Sequence, residues 1–191
     1  MASIQINRTF EGRIVDTQPT TAFTDTRVGA STSVSRGIVK LPFTGITAGS
    51  TITAATLDLY LTATSNASNN RVMSVYRCKR VMTSSATWNT YNGSDAWATA
   101  GAANTTSDRE ATASGTKQFN TTDTINQYYS IDLTAAHVQA MFDGTYTNNG
   151  FILQMATETA DQYDFISGTY VARWTITYTP PAGASFLLNF L

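Results

Sequence analysis

Strict alternation of apolar and polar side chains is the feature that most narrows the folds open to this sequence. In Leu57-Asp58-Leu59-Tyr60-Leu61-Thr62 three leucines fall on one face of an extended chain. Phe151-Ile152-Leu153-Gln154-Met155 repeats the pattern, as does Trp174-Thr175-Ile176-Thr177-Tyr178, with threonines opposite the large residues. A period of two belongs to strands buried on one side, as in antiparallel sheets. Turn-forming stretches separate them: Thr44 to Ser50, Ser65 to Asn70, and Thr147-Asn148-Asn149-Gly150. The sequence therefore predicts an all-β fold, an antiparallel β-sandwich of jelly-roll type with one short helix and long loops.

Composition agrees with that reading. Only 13% of the 191 residues are charged, against about 25% in an ordinary soluble domain. Threonine, roughly one residue in six, fills much of the gap, and its branched Cβ favours strands. Hydrophobic residues make up 42%, too many for a disordered chain. The length suits one domain, a sandwich over residues 1–179 followed by a tail over 180–191.

Several function classes drop out. The net charge is −1 and no basic cluster is visible, so nucleic acid is not an expected partner. No apolar run reaches the length of a membrane-spanning helix. The N-terminus, Met1-Ala2-Ser3-Ile4-Gln5-Ile6-Asn7-Arg8, has no basic stretch followed by an apolar one, so no signal peptide is expected.

Catalytic chemistry finds little material. With one histidine, His137, and one cysteine, Cys78, a zinc site of the usual type is not expected, nor is any cofactor. Cys78 sits in the strand-like Val72 to Lys79 and reads as a small core residue. No nucleophile elbow, phosphate loop or dinucleotide fingerprint occurs, and no spacing singles out a carboxylate pair for glycoside hydrolysis. Asp95, Asp108 and Asp161 are oxygen donors of the kind calcium takes, without an EF-hand spacing. The chain reads as a non-enzyme.

The helix is predicted over Thr134 to Gly144, with Thr134 as N-cap and Gly144 as the terminating glycine. Leu133, Val138, Met141 and Phe142 form its buried stripe, with His137 beside it. Between about Thr83 and Asn126 the chain is rich in Thr, Ser, Ala, Asn and Gly. This stretch reads as long, partly ordered loops at one end of the sandwich, where binding commonly resides. Tyr91 and Trp97, with Asn92 and Asp95, either pack within these loops or form a platform for a glycan. Trp88 and Trp174 read as core.

Pro180-Pro181 ends the last strand. The chain finishes in Phe186-Leu187-Leu188-Asn189-Phe190-Leu191, where Phe186, Leu187, Leu188, Phe190 and Leu191 either fold back on the domain or anchor in a partner.

Several segments, in order, resemble the DNRLRE (disaggregatase-related) domain family, which is similar to carbohydrate-binding module family 96. They are Ser35 to Phe43, Ile46 to Leu61, Val75-Tyr76-Arg77, Ser85-Ala86-Thr87-Trp88-Asn89, Ile131-Asp132-Leu133-Thr134, Asn149 to Leu153, and Trp174 to Thr179. The chain departs from the pattern at Phe43, where an acidic residue is usual, at Val81 to Ser84, where a Trp is missing, and at Phe142, where Trp is common. The resemblance implies a jelly-roll sandwich without catalytic residues.

Two functions then compete. The first is a structural protein of a virus particle, possessing a weakly charged skin and an apolar anchor, such as a bacteriophage capsid decoration protein or other head or tail surface protein. It would sit on the virion surface against partners such as the major capsid protein, as a homo-oligomer, a trimer above others. The second is a carbohydrate-binding or adhesive module, extracellular and touching a glycan. The two coexist if a virion protein touches a host-surface glycan.

Overall fold

The structure is a computed structural model that describes residues 1–65, 70–159, 161–165 and 169–182. Among the described residues eleven strands and one helix follow in the order β1 (Ala2–Asn7), β2 (Phe10–Val15), β3 (Thr26–Ala30), β4 (Val34–Lys40), β5 (Thr51–Ser65), β6 (Arg71–Arg77), β7 (Gly115–Phe119), β8 (Gln127–Leu133), α1 (Ala135–Phe142), β9 (Phe151–Met155), β10 (Gln162–Phe165) and β11 (Arg173–Thr179). All the strand pairings are antiparallel, and they link the strands into one continuous sheet.

That sheet curls into a sandwich because two strands each serve two neighbours along one edge. Asp58 of β5 lies between Ser130 and Arg173, so β8 and β11 flank it on opposite sides. Leu61 lies between Gln127 and Phe165, so β10 takes up the β11 edge further along. The same arrangement recurs on β4. Ile38 sits between Gly12 and Ile152, and Ser35 between Val15 and Gly29, so β9 and β3 share an edge opposite β2. The β3–β10 pair thus carries the sheet round from a front layer, β1-β11-β5-β8, to a back layer, β2-β4-β9-β6-β7.

The alternation seen in the sequence sets what lies between the layers. Leu57, Leu59, Leu61, Trp174 and Ile176 of the front meet Val39, Val75, Phe151, Leu153 and Met155 of the back, all buried. The helix lies against β5 and buries Val138 and Met141. Its observed limits, the extended Thr134 before it and Gly144 after it at φ +81°, match the sequence reading, although the Thr134 side chain makes no capping bond. Two departures from the family pattern meet in space. Phe43 packs edge-on against Phe142 at 5.4 Å and against Trp174 at 4.6 Å, filling one aromatic cluster. The Trp174 indole inside it donates to the Pro42 carbonyl at 2.9 Å.

The threonine-rich stretch corrects one expectation. It is not a set of loops at the end of the sandwich. Residues 78–110 lie as a plate over the outer face of the back layer, where Cys78, Met82, Ala86, Trp97 and Ala102 cover Ile14, Ile38 and Ile152. The reason is legible in β4 and β9, whose adjacent residues Ile38 and Val39, or Ile152 and Leu153, are wholly buried on opposite faces. A sheet apolar on both sides must be covered on both.

The far edges of the two layers come together at β7 and β8. The Thr134 amide donates to the Ser114 carbonyl at 2.6 Å, and a Cβ on Gly115 would lie 2.2 Å from the Asp132 carbonyl oxygen. Only a glycine permits that approach. Gly115→Ala is expected to cost about 1–3 kcal/mol, measured by urea unfolding; an unchanged midpoint would show that this seam does not need the close contact.

Candidate functional site

The loop residues singled out from the sequence come together, but they face one another. Asn92 Oδ1 accepts from the Ser94 and Asp95 amides at 3.0 and 2.7 Å, closing a tight turn. Asp95 Oδ2 then accepts from Asn92 Nδ2 at 2.9 Å and from the Tyr91 hydroxyl at 3.2 Å. Trp97 is only 5% exposed, packs edge-on to Tyr91 at 5.7 Å, and donates its indole N–H to the Thr87 carbonyl at 2.9 Å. The glycan platform read into Tyr91, Asn92, Asp95 and Trp97 therefore lacks its Trp97 face. The apolar outer surface of the back layer draws the indole inward. Trp88, read as core, is half-buried beneath Arg36, whose guanidinium lies 5.1 Å from its ring.

Ion pairs fasten this plate. Arg36 forms a two-pronged pair with Glu158 at 2.8 Å on each arm and donates to the Gly101 carbonyl at 2.6 Å. Asp108, wholly buried, accepts from the Ala98 and Thr99 amides at 2.9 and 3.0 Å and pairs with Arg80 at 3.3 Å. Asp161 pairs with Arg71. The oxygens considered for calcium are thus engaged by separate local partners. Among the described residues no three His, Cys, Asp or Glu side chains gather into a set able to hold a metal ion. The anchor residues Phe186, Leu187, Leu188, Phe190 and Leu191 lie outside the described residues.

His137 borders a cleft of about 170 Å³ with Arg77, Glu110, Thr112 and Tyr146. Its Nδ1 lies 3.1 Å from the Ser114 hydroxyl. Arg77 there is taken up by Glu110 on one side and by the Tyr146 ring, 3.8 Å from the guanidinium, on the other.

A different surface carries an open aromatic array: the outer face of the front layer. Tyr60 lies between two buried leucines of β5, so its side chain points away from the core. Tyr128, its register partner on β8, meets it edge-on at 5.0 Å. Tyr170 stacks flat on Tyr60 from the opposite side, 4.1 Å between centroids and 6° between planes, and is 48% exposed. Beside this row runs a polar one. Asp58 accepts from the Ser130 hydroxyl at 2.6 Å and pairs with Arg173 at 3.4 Å, and Arg173 lies 3.6 Å from the Tyr128 ring centroid. Asn7 sits opposite Arg173, and Gln5 opposite Thr175, which its amide reaches at 3.4 Å. Burial and the neighbouring Tyr170 and Tyr128 hydroxyls raise the Tyr60 phenol above its ordinary value, which keeps it neutral.

Two tyrosines of the sheet and a third from the segment before β11, edged by hydroxyls and amides, form a surface that can stack an apolar ring face and bond its polar rim. Sequence reasoning passed over Tyr60 and Tyr128, although the same alternation that places the leucines inward places Tyr60 outward. Tyr170 carries no such signal, because it precedes β11 and reaches Tyr60 only through the fold.

A curled antiparallel sandwich with one outward aromatic face and a loop plate over the other layer defines the class: a β-sandwich module. The chain belongs to the family described as disaggregatase related repeat domain, which matches residues 11–175. No curated protein matches the chain.

Cys78 offers a check on the plate. Burial pushes its thiol up to about 12, so almost none is thiolate at pH 8. Native protein at that pH should resist iodoacetamide while urea-unfolded protein is labelled. Equal labelling rates would show that the plate does not cover Cys78.

Proposed function

We propose that this chain is a non-catalytic carbohydrate-binding module of an extracellular surface, and that it holds its glycan on the outer face of the front layer. The observation that carries this reading is the outward row Tyr128–Tyr60–Tyr170, with the last ring 48% exposed and lying flat on its neighbour. Flat tyrosines offer large, pre-positioned contact area at low entropy cost. Asn7, Gln5 and Ser130 stand within the same face to bond sugar hydroxyls. The expectation from the sequence, that this family is similar to carbohydrate-binding module family 96, points the same way. A virion subunit, the other expectation, rests on the weakly charged surface together with an apolar tail outside the described residues, and the outward tyrosine row favours the glycan reading over it.

The test is retention of the full chain on a panel of insoluble polysaccharides. At least one should retain it, and Tyr60→Ala or Tyr170→Ala should weaken retention roughly tenfold without lowering the melting temperature of the Tyr170 variant. Prolonged incubation should release no reducing ends or unsaturated sugars. No retention on any polysaccharide would overturn the reading, and released product would overturn its non-catalytic part.

A further inference from the structure

Every arginine, lysine, aspartate and glutamate of the chain lies among the described residues, so the charge on each face can be followed to its partners. Each arginine except Arg109 sits in an ion pair, and Arg109 lies 3.9 Å from the Tyr76 ring centroid. The lysines Lys40 and Lys117 belong to β4 and β7 of the back layer, and Lys79 pairs with Glu110 in the plate. Of the arginine and lysine side chains, the outer face of the front layer therefore holds one, Arg173.

That cation is already committed. Asp58 holds it at 3.4 Å and the Tyr128 ring lies against it at 3.6 Å. Asp58 is 5% exposed, and its own partners are Arg173, Ser130 and neighbouring threonines. A ligand carboxylate or sulfate drawing Arg173 away would strand a buried carboxylate, which is unfavourable. The remaining charged side chain on the face is Asp132, an exposed carboxylate on β8 in register with Thr56. An anionic polymer laid along the tyrosine row meets that carboxylate and no unengaged arginine or lysine. Phenols, hydroxyls and amides make up the rest.

Resting on the reading above, we propose that the front face takes an uncharged polysaccharide, a neutral hexose or pentose polymer, and discriminates against uronate-bearing and sulfated ones. Stacking on Tyr170, which Tyr60 holds flat from beneath, supplies affinity, and hydrogen bonds with Asn7, Gln5 and the Ser130 oxygen supply orientation. Binding of this kind is nearly independent of ionic strength, because no charge pair forms across the interface.

Affinity electrophoresis of the full chain separates the outcomes. The gels would contain barley β-glucan, xyloglucan or galactomannan as neutral polymers, and polygalacturonate, hyaluronan or chondroitin sulfate as anionic ones, each at low and high salt. The expected result is retardation by at least one neutral polymer, unchanged by salt, weakened roughly tenfold in Tyr170→Ala and retained in Tyr170→Phe. No anionic polymer should retard the wild type beyond Tyr170→Ala. Salt-sensitive retardation by an anionic polymer that Tyr170→Ala abolishes would overturn the neutral-ligand proposal and leave the glycan-binding function standing. Retardation indifferent to Tyr170→Ala would overturn the placement of the ligand on this face. Absence of retardation by every polymer would overturn the binding function itself.

Discussion

The long strand β5 is the constraint on which the rest of the molecule depends. Its fifteen residues pair with three other strands, β11 and then β10 along one edge and β8 along the other, and so lead the front layer toward the back. Its period of two fixes both faces at once. Leu57, Leu59 and Leu61 are buried to within 1%, and for that reason Asp58, Tyr60 and Thr62 face outward. A one-residue slip in register would turn Asp58 and Tyr60 into the apolar core and the leucines out of it. Core and candidate binding face are therefore two readings of one strand.

Scarce charge takes on a specific meaning in this frame. The chain is only 13% charged, and most of those side chains act as fasteners. Arg77 with Glu110 ties the plate to the back layer, Arg80 with Asp108 closes the plate on itself, and Glu158 aims the Arg36 guanidinium that reaches the Gly101 carbonyl of the plate. Arg27 with Asp164 joins β3 to β10 at the corner of the curl, and Arg173 with Asp58 locks β11 to β5. Breaking such a pair when one partner is buried leaves an uncompensated charge, at a cost of about 3–5 kcal/mol. Little charge is left to decorate the surface, which presents hydroxyls, amides and tyrosines.

The central strands and the helix were legible because their signals are local, whereas β7, Gly115–Phe119, falls inside the stretch that reads as loops. Alternation at Leu57 to Thr62 and at Trp174 to Tyr178 needs no tertiary contact to be read, and neither do the ends of a helix with Gly144 beyond it. The plate was not legible. Its order comes from the Trp97 indole reaching the Thr87 carbonyl, Asp108 gathering two amides, and Arg36 reaching Gly101 across a wide span of sequence. None of these leaves a periodic trace. Aromatic residues in a polar loop were for that reason read as a platform, whereas the double-sided burial of β4 and β9 demanded a cover. Tyr60 and Tyr128 could have been found by asking what the face opposite the leucines presents. Tyr170 could not, since its stacking depends on the chain folding back before β11.

The central claim is that ligand meets the tyrosine row of the front layer and not the loop around Tyr91. Titration of isotopically labelled full chain with a soluble oligosaccharide of a retaining polymer, followed by amide chemical shifts, tests this most directly. The expected result is saturable shifts concentrated at Tyr60, Tyr128, Tyr170 and their neighbours on β5, β8 and β11. Shifts confined to Tyr91 through Trp97, with the front layer silent, would contradict it.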